Sequence, residues 1–497
     1  MTAFDFLVHV DRSSSMSLRE QLYRMLREAI LDGRLPGRAR LPSTRVVAQQ
    51  TGLARQTVVE AFEQLIAEGY AIPRQASGTY VAETLPDDLL EAKPKRKPTG
   101  PVPAGHNGLS KRGQALAAIP LAGSRNHEHP RPFENGTPAL DAFPFDTWTR
   151  ITNNVLHRRS VALLTYGEAA GYRPLREAIA TYVSAVRAAR CSADQVIITG
   201  GTQHAINLAA QVLLDPGDPV WIEEPGYHGG RAALLACGAR LSPVRVDAEG
   251  LDVAYASATC PHAKLALVTP SRQYPLGMVM TLPRRRALLE WARRENAWIL
   301  EDDYDSEYRY TGRPLASLQG LDTDGRVVYL GTLSKVLFPS LRLGYLIVPP
   351  VLVDAFAHAR ALGDRQSPTL DQAVLAEFIQ DGHLARHIRR MRALYAQRQA
   401  TLLDLASRHL GGLLDIHRAD SGLHVIGWLP ERVDDRMITR QALAAGLEMA
   451  PLSRHYAGTP PPRGGLLLGF SAFDAGVMAS GVAQLASVLR KAYSSAA

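Results

Sequence analysis

A chain of 497 residues with 46% apolar and 21% charged residues exceeds what one ordinary core organises, which predicts a soluble globular protein of at least two domains. Its opening residues lack a basic flank ahead of a long apolar stretch, and no later run is apolar enough to span a bilayer, so a cytoplasmic location is expected. The formal net charge is +8, and residues 93–112 carry Lys93, Lys95, Arg96, Lys97, Lys111 and Arg112 with no acid, so the positive excess sits mostly in one segment.

In chain order, SLREQLYRMLREAILDG (17–33) puts Leu18, Leu22, Leu26 and Ile30 at four-residue steps, with Ser17 as N-cap and Gly33 as a stop. That spacing predicts an amphipathic helix. LPSTRVVAQQTG predicts a short second helix, capped by Ser43 and ended by Gly52. The turn TGLA leads to a third, RQTVVEAFEQLIAEGY, with Val58, Phe62, Leu65 and Ile66 facing inward, and the pair makes a helix-turn-helix. AIPRQASGTYVA then reads as two short strands about a Ser-Gly turn, completing a winged helix over residues 1–83.

In such a unit the third helix offers Arg55, Gln56 and Thr57 to base edges or phosphates, with Arg45 and Arg74 on either side. All ten basic residues before position 83 are arginine, suited to bidentate contacts with phosphate and guanine, although eight acids balance them. Helix-turn-helix shapes also serve as protein-binding modules. LPSTR, TGLARQTVVEAFEQLIAEGY and RQASGTYV resemble, in order and spacing, the GntR-type winged helix. The resemblance implies a double-stranded DNA operator as partner, with contacts from Arg45, Arg55 and Thr57 and a wing around Gly78.

Residues 84–130 are rich in Pro, Gly, Lys and Arg without a sustained period and read as a semi-extended basic linker, lying along DNA phosphates or merely solvated. Beyond it, VIITG, PVWIEEP, LALVTPS, WILEDD, VVYLGTLSK and GYLIVPP are continuous apolar runs separated by helical patterns such as LPRRRALLEWARREN. They predict an α/β domain over 131–497, a parallel or mixed sheet covered on both faces, whose ligands bind beyond the strand C-termini.

Polar residues gather at those ends. Gly201, Thr202 and Gln203 open a helix, where free N–H groups favour a phosphate. WILEDDY ends on Asp302 and Asp303, and VVYLGTLSK ends on Thr332, Ser334 and Lys335, with Arg342 beyond. A lysine among Val336, Leu337 and Phe338 is costly as a buried ammonium, and a Schiff base removes that cost. Pyridoxal 5'-phosphate needs this set: a lysine for its aldehyde, an acid against its pyridine nitrogen and a cradle for its phosphate.

Residues from about 133 to 490 resemble a fold-type I aminotransferase with a smaller C-terminal α+β subdomain, about 365–497. That resemblance implies Lys335 as the Schiff-base lysine, Asp302 on the pyridine nitrogen, Tyr304 on the ring hydroxyl and Tyr227 stacked on the ring. It also implies Thr332 and Arg342 on the phosphate, joined by Tyr166 in TYGEAAGYRPLREAIATYV reaching the site of a partner subunit. A GntR-type winged helix, a linker and such a domain together resemble the MocR-type (GabR- and PdxR-like) transcription regulators, to which EDDYDSEYRY and TPSRQYPLG are closer than to ordinary aminotransferases. The implied protein is a regulator that senses the cofactor or an amino compound, built as a head-to-tail homodimer reading paired half-sites.

Departures bear on activity. Tyr274, preceded by Gln273, stands where aminotransferases carry an Asn, and Leu467 stands where they carry the arginine for a substrate carboxylate. Arg454 in PLSRHYAG resembles the position where GabR-like members hold an effector carboxylate, and a second such arginine is not evident after Tyr227, where His228, Gly229 and Gly230 follow. At most partial transamination is therefore expected, with an aminotransferase bearing a secondary DNA-binding domain as the alternative. No metal site is expected: Cys191, Cys237 and Cys260 are scattered, and His127 with His129 near Glu128, or His383 with His387, lack a third ligand.

Overall fold

In the computed structural model, which describes residues 10–74, 77–86, 108–119, 130–312 and 315–494, the Ser17 hydroxyl accepts the Glu20 N–H and starts helix α1 (Leu18–Leu31). Ser43 caps α2 (Thr44–Thr51) through the Val46 N–H. Gly52 ends it at φ 64°, a left-handed conformation that costs glycine nothing, and the chain turns into α3 (Arg55–Ala67). Leu22, Leu26, Ile30, Val47, Val58, Phe62 and Leu65 close one apolar core. β1 (Ala71–Arg74) and β2 (Gly78–Val81) pair antiparallel as the wing, and Arg40 bridges to Tyr80 beside them.

Phe62 is 3% exposed at the centre of this small core. Phe62→Ala should cost about 3–5 kcal/mol, read as a lower denaturation midpoint of the winged-helix transition, because so few neighbours can collapse into the gap.

The chain divides into two compact units between residues 107 and 108. Lys93, Lys95, Arg96 and Lys97 lie outside the described residues, as do His127, Glu128 and His129. Residues Lys111–Ala118 are helical rather than extended, since Ser110 caps the Gly113 N–H and the segment is rich in good helix formers.

The second unit is built on an eight-stranded sheet of β3 (Val196–Thr199), β4 (Pro219–Glu224), β5 (Arg240–Asp247), β6 (Gly250–Leu251), β7 (Leu265–Val268), β8 (Trp298–Asp303), β9 (Val327–Thr332) and β10 (Gly344–Ile347). Its spatial order is β3-β10-β9-β8-β7-β4-β5-β6. β3, β4, β7, β8 and β9 share one direction, and β10 runs antiparallel between β3 and β9. The central strands are buried on both sides, as their unbroken apolar runs require. Val196 and Ile198 face Leu175, Ile179 and Phe378 on one side, and Ile197 and Leu346 face Ile206, Ala209 and Phe356 on the other.

A smaller antiparallel sheet, β11 (Asp415–Ile416), β12 (His424–Trp428), β13 (Ala450–Pro451) and β14 (Gly465–Gly469), has the order β11-β12-β14-β13. Its core is shared with the helices His383–His409, Asp435–Ala444 and Ala475–Ser494. Among the described residues no helix is long and apolar enough to cross a membrane. His387 is buried against the Val336 carbonyl at 3.0 Å and His383 lies beside Arg386, so both are occupied within the fold.

Candidate functional site

Because β3, β4, β7, β8 and β9 run parallel, Thr199, Glu224, Val268, Asp303 and Thr332 end at one edge of the sheet. β3 passes through Gly200 to Gly201, which caps helix Thr202–Leu213 at φ 93°. Arg342, itself left-handed at φ 51°, reaches back so that Nη2 donates to the Gly200 carbonyl at 2.6 Å. A Cβ on Gly201 would lie 3.2 Å from that guanidinium. A bare glycine turn, a helix N-terminus and an arginine thus frame a cradle for an anion.

Thr332 ends β9 with its hydroxyl accepting the Ser334 N–H at 3.3 Å. Lys335 is half-buried, and Nζ donates to the Gly136 carbonyl at 2.8 Å. Asp302 lies on the neighbouring strand, 4% exposed, and its Oδ1 has no hydrogen-bond partner among the described residues. Burial, then the carboxylates of Asp303, Glu223 and Asp305, push Asp302 up to about 8, and Lys335 pulls weakly the other way. A carboxylate left orphaned in this way is built for a cation that the polypeptide does not supply.

A small cavity at Asp302 is lined by Glu223, Tyr227, Arg231, Thr269 and His455. Glu223 is pushed up to about 7 by burial, offset in part by donation from Thr269 and Gln273. Tyr274 stands edge-on to Tyr227, Tyr304, His424 and His455 at 5.1–5.9 Å, and its hydroxyl accepts from Asn135 at 3.1 Å. Tyr304 receives a hydrogen bond from Arg272 Nη1 at 2.8 Å.

The loop after β13 is fastened to the same edge. Glu224 accepts the N–H groups of Ala457 and Gly458, the Gly226 N–H donates to the His455 carbonyl, and Arg231 Nη2 donates to the Arg454 carbonyl at 3.3 Å. Arg454 is therefore brought beside Arg231. Beyond His228, Gly229 and Gly230 there is an arginine after all: Tyr227 caps the helix His228–Ala236, and Arg231 follows it by one turn onto the same face. Leu467 is buried in the middle of β14.

The remaining candidates lie at the rim of this edge or away from it. Gln203 turns outward to the Gly229 carbonyl at 2.8 Å, and Tyr166 is 78% exposed with the Arg365 guanidinium over its ring at 4.6 Å. In the first unit Arg45, Arg55, Gln56 and Arg74 are exposed and Thr57 half-buried. Gln56 donates to Glu60 at 3.2 Å, and Arg74 stacks over Tyr80 at 4.7 Å.

Residues 136–423 match the family described as aminotransferase class I and II, and residues 18–81 match the gntR family of bacterial regulatory proteins. The chain is 41% identical over 488 residues to the probable rhizopine catabolism regulatory protein MocR of Rhizobium meliloti, covering 98% of this chain and 97% of that one. The chain belongs to the MocR-type transcription regulators. Other MocR-type relatives are the pyridoxine biosynthesis transcriptional regulator PdxR of Corynebacterium glutamicum, 30% identical with 94% of both chains covered, and the regulator TauR of Rhodobacter capsulatus, 32% identical with 95% and 97% covered. Among solved structures, the α-aminoadipate aminotransferase LysN of Thermus thermophilus, complexed with N-(5'-phosphopyridoxyl)-L-leucine, superposes with a TM-score of 0.70 at 26% identity, covering 77% of this chain and 98% of that one. As a MocR-type regulator the protein is a DNA-binding transcription factor whose aminotransferase-like domain binds pyridoxal phosphate. The unpartnered Asp302 oxygen and the glycine cradle under Arg342 fit that cofactor.

Proposed function

We propose that this cytoplasmic regulator holds its cofactor through Lys335 and responds to a small amine bearing an anionic group. Pyridoxal phosphate supplies an aldehyde that condenses with amines and a ring that absorbs visible light. Around it, Asp302 keeps the ring nitrogen protonated, Tyr304 meets the ring hydroxyl and Tyr227 stacks on the ring. Thr202, Thr332 and Arg342 hold the phosphate with the N–H groups that follow Gly201, and Gln203 stiffens this rim through Gly229. The effector's anion lies at Arg454, with Arg231 next to it.

The observation that carries this reading is the orphaned, buried Asp302 on the strand next to the one that leads to Lys335, in a chain headed by a winged helix. Tyr166, exposed on the same unit, completes the phosphate site of the second subunit in a head-to-tail homodimer. Buried Leu467 in place of a carboxylate-binding arginine favours sensing over turnover. An effector preferring one of two conformers shifts their populations only by its difference in affinity, and that shift alters the spacing of the two winged helices.

Footprinting of DNA upstream of the protein's own gene, with cofactor and candidate amines, tests this reading. Arg45→Ala combined with Arg55→Ala should weaken operator binding by about 100-fold and flatten its salt dependence, since each lost contact removes roughly 1–3 kcal/mol and a released counterion. Both arginines are exposed, so the far-UV circular dichroism should not change. Steady exchange between amino donor and keto acid, with no protected DNA, would overturn the regulator reading in favour of an aminotransferase.

A further inference from the structure

Arg272 belongs to none of the groups placed on the cofactor, yet it is 3% exposed and every arm of its guanidinium is engaged. Nε donates to the Ser421 carbonyl at 3.0 Å and Nη2 to the His424 carbonyl at 3.1 Å, both on the segment that enters β12 of the small subdomain. Nη1 turns the other way, to the Tyr304 hydroxyl at 2.8 Å and the Asp305 carboxylate at 3.4 Å. Gly422, at φ 87°, lies flat against this fork, and a Cβ there would collide with the guanidinium. Such a clamp needs an arginine, because four acceptors are met by one guanidinium and lysine has no planar fork.

We propose that Arg272 is a positioning residue that sets Tyr304 as a hydrogen-bond donor to the cofactor's ring hydroxyl and ties that donor to the small subdomain. A phenol that accepts from a cation has its lone pair occupied, so its own O–H is free to give, and among the described residues that proton has no acceptor. The fork that orients Tyr304 also carries Ser421 and His424. A shift of the small subdomain, where Arg454 resides, is thereby felt at the ring oxygen. The inference rests on the proposed cofactor reading, in which Tyr304 meets that hydroxyl.

A donor on the ring oxygen draws off negative charge and weakens the hold on the proton shared with the lysine-bound nitrogen. Losing the donor raises the pH at which that proton leaves. The groups that also face the fork are Asp305 and Tyr310 from the loop after β8, Tyr274 from the loop after β7, His424 from β12, and Lys335. All of them remain in the variants used.

The experiment is a pH titration of the visible band in the full-length, cofactor-loaded protein, once that band is shown to need Lys335, so that failure of the cofactor reading is seen first. Arg272→Lys should raise the midpoint by roughly one pH unit. In a Tyr304→Phe background the same substitution should shift it no further, which separates action through Tyr304 from a general loss of packing. Should Arg272→Lys not fold, Gly422→Ala, which keeps the cation but displaces the fork, should raise the midpoint likewise. An unchanged midpoint in folded Arg272→Lys or Gly422→Ala, or an equal shift with and without Tyr304, would overturn the proposal.

Discussion

Lys335→Ala protein incubated with pyridoxal phosphate should show no imine absorption band, bind the cofactor at least about 100-fold more weakly, and lose every amine-dependent change at its operator. The half-buried Lys335 donates through Nζ to the carbonyl of Gly136 at 2.8 Å, and Gly136 itself stands at φ 78°. Alanine keeps the strand-to-turn geometry of Thr332 and Arg342, so noncovalent phosphate binding should survive in part. Absorption spectra and dialysis equilibrium, with and without candidate amines, separate the two contributions. A band as strong in the variant as in the wild type would show that Lys335 does not carry the aldehyde.

The ends of β8 and β9 were legible in the sequence because a buried parallel strand needs an unbroken apolar run, and the polar residues that stop the run mark the ligand edge. That reading marked Asp302 and Asp303, and Thr332, Ser334 and Lys335, while the family resemblance implied which of them meet the cofactor. β5 was not legible: Pro243 and the charged residues around it break both the run and the alternation. Near this sheet's margin β5 has a ladder partner on only one side at Pro243, where a missing N–H is tolerated. Local spacing did contain a signal for Arg231, one helical turn past Tyr227, once Tyr227 is understood as the cap of a helix rather than part of a loop.

What closes the site lay beyond local pattern. Glu224 holds Ala457 and Gly458, and Arg272 holds Ser421 and His424, across separations of about 150 to 230 residues. No periodicity encodes such pairs. They exist because the small subdomain folds back onto the sheet edge, and a buried guanidinium or carboxylate must find its acceptors or donors wherever the chain brings them.

Asp302→Asn should stabilise the cofactor-free protein at alkaline pH while it weakens the cofactor. In the folded state burial and the neighbouring carboxylates raise Asp302 from 3.8 to about 8. Between those values the folded protein keeps a proton that the unfolded chain has released, so stability falls as pH rises from about 4 through about 8. Each pKa unit is worth about 1.4 kcal/mol, so the cost of ionising Asp302 above pH 8 amounts to several kcal/mol. Asparagine fills the same space without that cost. Thermal melts of the two cofactor-free proteins should therefore coincide near pH 4 and diverge by pH 8.5, with the variant the more stable. With cofactor the order should reverse, because a protonated ring nitrogen holds the Asp302 carboxylate ionised and an amide offers it no charge. Cofactor-free proteins that melt together at pH 8.5 would show that Asp302 does not hold a proton in the fold, and equal cofactor binding would show that it is not the partner of the ring.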